Sequence, residues 1–297
     1  MAALTFAYYQ FSCSPALRPF IFGYGLFRSE TPAEKTPPRS PAREGCRTEL
    51  RADDPLVEQL MASGCAQMCF NLGDAFTLER ESSRTPMRAP AYLGGAWTVP
   101  GRMRLGRRVE MLGVMFRPGR TGAFFRLPAD ELTDRFTPLD DLWGAGGRAL
   151  ERELCELPTT VARIGRLEGE LLRRLAASQA QDDRCARIAE FIRRQRGIVA
   201  VATLCQASGL SRQHLAREFR ARVGVSPKRF ARVARFEALM ARAYSGPERD
   251  WAAAAAECGY YDQAHLIAEF KAFTGMSPGA FFRPPAAAAK GVAVAAD

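Results

Sequence analysis

Phe219-Arg220-Ala221-Arg222-Val223-Gly224-Val225-Ser226-Pro227-Lys228-Arg229-Phe230 recurs downstream as Phe270-Lys271-Ala272-Phe273-Thr274-Gly275-Met276-Ser277-Pro278-Gly279-Ala280-Phe281. The Phe, Gly, Ser, Pro and closing Phe match at one constant offset, which also pairs Ser211 with Asp262, His214 with His265 and Leu215 with Leu266. Self-similarity at a period of about 50 residues marks one supersecondary unit used twice.

Working outward, Val201, Leu204 and Cys205 lie at i, i+3, i+4 on one helical face. Gly209 ends that helix and Ser211 is a good N-cap for the next, so the unit reads as a helix-turn-helix. In its second helix Leu215, Phe219 and Val223 form the stripe for burial, which leaves Arg212, Gln213, Ala216, Arg217 and Arg220 facing out. The second unit repeats the plan: Asp250 caps an Ala-rich helix starting at Trp251, Gly259 ends it, and Asp262 caps a helix carrying Leu266 and Phe270 inward. Its outward face is Gln263, Ala264, Ile267, Ala268 and Lys271. Between the units, Ser226-Pro227 supplies an N-cap and a proline at the first helical position. The helix expected from there to about residue 244 buries Phe230, Val233, Phe236 and Met240, and carries Lys228, Arg232, Arg235 and Arg242 on another face.

Two helix-turn-helix units joined by one long helix resemble the DNA-binding domain of the AraC family of bacterial transcription regulators. Gly259-Tyr260-Tyr261-Asp262-Gln263-Ala264-His265-Leu266 and both Gly-x-Ser-Pro-x-x-Phe tails carry that likeness, over roughly the last third of the chain. The resemblance implies double-stranded DNA as partner, with Ser211, Arg212, Gln213, His214, Ala216, Arg217, Arg220, Lys228, Arg232 and Arg235 on the first unit and joining helix. On the second unit it implies Asp262, Gln263, Ala264, His265, Ile267, Ala268 and Lys271. Arg212, Gln213 and Arg217 suit guanine and adenine edges and nearby phosphates, and alanine packs on a thymine methyl. The resemblance also implies RNA polymerase, a small-molecule effector and a second copy of the chain as partners. Ala216, Ala264 and Ala268 stand where related regulators often carry longer polar side chains, and Leu266 replaces a common aromatic. The second unit is therefore expected to act more as a backbone clamp than as a reader.

Charge agrees with a polyanionic partner. The net charge is +10, and residues 182–283 hold 17 Lys and Arg against 10 Asp and Glu, a surplus of 7. No run of about 18 uncharged apolar residues occurs, which excludes a spanning helix, and the apolar start lacks a basic n-region. The chain is expected in the cytoplasm.

Catalysis, cofactors and metal are not expected. The only histidines are His214 and His265, one in each recognition helix, so no histidine-based metal centre or triad can exist elsewhere. The eight cysteines are scattered without a Cys-x-x-Cys. Cys65 and Cys69 on one strand would stand about 13 Å apart, beyond the reach of a disulfide. Two alternatives remain open: a cysteine-based redox or methyl-accepting sensor-regulator, and a non-DNA adaptor. Against the former, no cysteine precedes a histidine and only one cysteine pair is close.

Toward the amino terminus, residues up to about 27 suggest short strands and turns, and 29–54 is rich in Pro, Arg, Glu and Thr, which reads as an exposed loop or insertion. Alternation of Ala66, Met68, Phe70 and Leu72 with polar partners predicts a strand, followed by strands at 76–78, 92–99 and 109–116. The last is apolar on both faces and belongs in the middle of a sheet. Pro128 starts a short helix. The segments 113–119, 128–135 and 138–144 resemble the sensor half of a subset of AraC-type regulators. Leu150, Leu154, Leu157, Val161, Ile164, Leu167 and Leu171 step by three and four, broken at Pro158-Thr159-Thr160. Two amphipathic helices fit this, packing on the sheet or forming a dimer seam. The expected fold class is α+β: a mainly β amino-terminal sensor domain with helices (1–180, including the loop 29–54) and a carboxyl-terminal all-α domain (181–284). Residues 285–297 read as a disordered tail.

Overall fold

A computed structural model describes residues 4–30, 43–50, 56–80, 83–178, 183–245 and 250–282. The tail expected at 285–297 lies outside the described residues, as do 31–42 and 51–54 of the expected loop.

The amino-terminal half is two antiparallel sheets. Its strands are β1 (Leu4–Phe11), β2 (Ile21–Glu30), β3 (Arg43–Leu50), β4 (Leu56–Leu60), β5 (Gln67–Asn71), β6 (Phe76–Arg80), β7 (Ser83–Met87), β8 (Ala91–Gly94), β9 (Gly101–Leu105), β10 (Glu110–Phe116) and β11 (Phe136–Pro138). Seven pair in the order β11-β8-β5-β10-β2-β1-β3, and four in the order β4-β9-β6-β7. Period-2 alternation decides the layers. Met68, Phe70, Leu93, Leu112 and Val114 go to one face of the large sheet, while Cys69, Tyr92 and Met111 go to the other, where they meet Phe76, Leu78, Trp97 and Leu105 from the small sheet's side. β10 sits in mid-sheet between β5 and β2, which is why both its faces are apolar.

Two expectations need correction. Residues 43–50 are not loop: they form β3, paired antiparallel with β1 from Leu4↔Leu50 to Gln10↔Arg43. The strand expected at 92–99 divides, because β8 stops at Gly94 and the chain crosses toward the other sheet, with Trp97 bridging to Ser63 in the neighbouring crossover on the way.

The outer face of the large sheet is covered by α1 (Leu139–Trp143), α2 (Ala145–Glu156) and α3 (Thr160–Ala176). Thr159 caps α3, its side-chain oxygen accepting from the Ala162 amide. Leu150, Leu154, Leu167 and Leu171 are fully buried in the sheet's core, so the stripe serves packing, while Val161 stays 54% exposed.

The carboxyl-terminal half is helical: α4 (Arg184–Arg194), α5 (Val201–Ser208), α6 (Arg212–Val223), α7 (Pro227–Ser245), α8 (Trp251–Glu257), α9 (Gln263–Thr274) and α10 (Pro278–Phe281). Different faces of α7 serve the two repeat units. Phe230, Ala231 and Ala234 join Ile192, Leu204, Leu215 and Phe219 in the first core. Val233, Phe236, Leu239 and Met240 join Ala254, Leu266, Phe270 and Phe273 in the second. Gly197, at φ +74, lets the α4–α5 turn lie on α7, since a Cβ there would stand 1.9 Å from the Ala231 carbonyl oxygen. Among the described residues no helix is long and apolar enough to cross a membrane.

Candidate nucleic-acid interface

Both recognition helices begin with a built cap. The Ser211 hydroxyl accepts from the His214 amide at 3.3 Å and starts α6; the Asp262 carboxylate accepts from the His265 amide at 2.7 Å and starts α9. Each helix ends on a left-handed glycine, Gly224 (φ +99) or Gly275 (φ +75), as the Gly-x-Ser-Pro pattern requires. Each capping oxygen accepts from the backbone and sets where its helix begins, and both Ser211 and Asp262 remain exposed.

Between the caps, one face is buried and the other is wet. Leu215, Phe219, Leu266 and Phe270 are fully buried. Arg212, Gln213, Arg217 and Arg220 are exposed on α6, with Ala216 half-buried beside them. On α9, Gln263, Ala264, Ala268 and Lys271 are exposed, whereas Ile267 is half-buried against the second core. The repeat offset places Arg212 with Gln263, Gln213 with Ala264, Arg217 with Ala268 and Arg220 with Lys271. Unit one thus presents three guanidiniums where unit two presents one ammonium.

Both histidines are exposed and also make local contacts. His214 Nε2 lies 3.3 Å from Glu218, one turn on. His265 Nδ1 accepts from the Tyr261 amide at 3.3 Å, and its ring meets Tyr260 edge-on at 5.4 Å, which holds the turn before α9.

Arg232 and Arg235 do not join the exposed row. Arg232 donates to the buried Glu269 at 2.7 Å and lies over the Phe273 ring; Arg235 donates to the Gly259 carbonyl at 3.2 Å and covers Tyr260. Both tie α7 to the second unit. Lys228, at the start of α7, remains exposed. One residue outside the expected set joins the face: Tyr261, immediately before the α9 cap, is 92% exposed and has no core role. Its counterpart in the repeat, Leu210, packs against the first core, and that difference was visible in the aligned units.

The cysteines do not share a strand face. Cys65 precedes β5 in the crossover 61–66, whereas Cys69 points between the sheets. Burial pushes each thiol up to about 12, with Glu237 adding to the rise at Cys65. Burial that disfavours the thiolate makes Cys65 and Cys69 poor nucleophiles and metal ligands.

Where the β half meets α7, the Glu237 carboxylate accepts from the Gly64 amide at 3.1 Å. Burial raises its pKa, opposed by Arg193 and by hydrogen bonds from Gly64 and Ser63; the Cys65 thiol also faces it. A carboxylate raised in the docked state adds stability fully present below the ordinary carboxylate value and lost as pH rises through the raised one. The chain's melting temperature is therefore expected to fall as pH rises from the ordinary carboxylate value through that window, and Glu237→Gln to flatten that fall. Identical melting profiles for wild type and variant across this range would refute it.

A helix-turn-helix domain family matches residues 204–284. A domain family of unknown function, DUF6597, matches residues 45–138. No curated protein matches the chain. Among solved structures, the chain is similar to ToxT from Vibrio cholerae O395, at 13% identity, covering 77% of this chain and 92% of that one, with a TM-score of 0.44. ToxT from Vibrio cholerae strain SCE256, solved with an unsaturated fatty acid bound, is 12% identical over 79% of this chain and 96% of its own, with a TM-score of 0.43. The AraC-like transcriptional activator CuxR is 15% identical over 75% of this chain and 77% of its own, with a TM-score of 0.27.

Proposed function

We propose that this chain, whose carboxyl-terminal region is an AraC-type helix-turn-helix domain, reads two short DNA elements in adjacent major grooves, one with α6 and one with α9. The helix-turn-helix family match over residues 204–284 supports a DNA-binding transcription regulator. The observation that carries the two-groove reading is the recurrence of an exposed face at the same repeat positions on two capped helices, joined by a single α7. At about 1.5 Å per residue, α7 is roughly 28 Å long, and major-groove faces on one side of B-DNA recur at about 34 Å.

Arg212, Gln213 and Arg217 are assigned to base edges and adjoining phosphates, Arg220, Lys228 and Lys271 to the backbone, and Gln263 with Ala264 to the second element. Tyr261, at the rim of α9, fits a sugar or phosphate contact. Arg232 and Arg235 are assigned to cohesion of the second unit.

Selection of bound fragments from random DNA, followed by footprinting, tests this. The expected footprint has two elements about one helical turn apart, and inserting about five base pairs between them should reduce protection to the first element. Arg217→Ala is expected to weaken specific binding by about 1–3 kcal/mol and relax one position without lowering the melting temperature. Arg235→Ala should instead lower the melting temperature and weaken the second element only. Uniform loss of affinity in both variants, at unchanged stability, would overturn the division of roles.

A further inference from the structure

The two chain segments that cross between the β sheets, 61–66 from β4 to β5 and 95–100 from β8 to β9, lie side by side at one end of the sandwich. They are joined by a lone backbone bridge, in which the Ser63 and Trp97 amides each donate to the other's carbonyl at 2.9 Å. The residues just before each bridge partner diverge. Ala62 is buried in the core of the second helix-turn-helix unit and Ala96 in the core of the first.

Polar contacts reach the same two units at equivalent places. Thr133, next to the second crossover, donates its hydroxyl to the Gly224 carbonyl at 2.8 Å, at the end of α6. The Gln59 side chain, at the end of β4, donates to the Thr274 carbonyl at 3.2 Å, at the end of α9, and a Cβ placed on the neighbouring Gly275 would meet Pro100 at 3.4 Å. Thr274-Gly275 and Val223-Gly224 are the same turn in the two repeats. Along α7 between them, Arg229 donates to the Thr98 carbonyl at 3.1 Å and Gly64 to Glu237. Only glycine fits at 64, because a Cβ would stand 2.4 Å from the Phe230 ring.

We propose that the amino-terminal β half is a brace that fixes the angle between the two recognition helices, seated through the Ser63–Trp97 bridge. Two units packed on one helix can each pivot about it; a second, off-axis attachment for each removes that freedom. On the recognition helices these hydrogen bonds reach the carboxyl ends of α6 and α9, while Arg212, Gln213, Arg217, Gln263 and Ala264 stay exposed, so the brace sets geometry without covering the reading face. For two linked binding modules, stiffness concentrates affinity at one spacing. Trp97 also belongs to the core between the sheets, so a change in sheet separation would be felt at both units together.

The inference rests on the two-groove reading, and its test separates the two. The probe is a duplex selected from random sequence by the full chain, together with versions carrying one, two or three extra base pairs between the protected elements. Wild type is expected to lose about 10²-fold on a two-base-pair insertion, the scale of the avidity between linked modules. The full-length double variant Gln59→Ala/Thr133→Ala should lose less than about tenfold on the same insertion while keeping its affinity for a single element. Ala62→Glu/Ala96→Glu should go further in the same direction, provided it melts cooperatively. Amide exchange without DNA gives an independent readout: the double alanine variant should raise exchange at the turns after α6 and α9 by about tenfold. A chain that selects no duplex refutes the DNA-reading function. Unchanged spacing dependence or unchanged exchange in Gln59→Ala/Thr133→Ala refutes the brace.

Discussion

Replacing Phe270 with alanine is expected to lower the unfolding free energy of the chain by about 3–5 kcal/mol, the range for a large aromatic removed from a packed core. Phe270 has no exposed surface, and its ring lies 5.5 Å from Phe236, 6.3 Å from Trp251, 5.4 Å from Phe281 and 6.1 Å from Phe282. Those partners come from α7, the start of α8, and the chain at and after α10, so one ring holds the second recognition helix to the rest of its unit. Collapse around the cavity is restricted, because Phe236 is also packed on Phe273 at 5.2 Å. Urea unfolding of the full chain measures the cost, and footprinting should show the second element lost before the first. A loss below about 1 kcal/mol, ordinary for a surface substitution, would mean that the second core is not organised around Phe270.

Affinity for DNA should fall by about 10²- to 10³-fold between about 50 and about 200 mM salt, if the five exposed cations of the reading face each displace about one counterion. Those cations are Arg212, Arg217, Arg220, Lys228 and Lys271, all exposed in the folded chain. The second unit contributes only Lys271 among them, so Lys271→Ala should remove about one unit from the slope of log affinity on log salt, and most of the salt dependence should reside in the first unit. Titration of the selected duplex at several salt concentrations decides this. A salt-independent curve would instead support the adaptor alternative, in which the helical half contacts protein.

Much of the exposed face of α6 and α9 was legible in the sequence alone. Caps, apolar stripes and glycine stops are local: Ser211 caps the amide three residues on, Leu215 and Phe219 are one turn apart, and Gly224 turns left-handed where a side chain would be strained. Arg212, Gln213 and Arg217 follow as the outward remainder. Arg232 and Arg235 could not be assigned this way, since helical spacing says only that they share a face. What they meet is Glu269 and the Gly259 carbonyl, in a unit that α7 reaches only after the chain has turned back.

The amino-terminal half shows the same limit more strongly. Period-2 alternation identified β5 and the two-sided burial of β10, because each is a property of one strand. It did not identify β3, whose polar composition between 43 and 50 becomes strand through pairing with β1. Nor did it show that 95–100 leaves one sheet for the other. Pairing partners lie dozens of residues away and cost chain entropy to bring together, so local pattern is silent about them.

By itself, then, the sequence determined a repeated, capped helix-turn-helix with a basic outward face, because helix periodicity and capping are decided within a few residues. Only the tertiary structure decided which arginines stay free and which become cross-links, and that Ala62 and Ala96 enter the cores of the two units. A small apolar residue or a long cation carries no address of its own; what surrounds it is chosen by how distant segments pack.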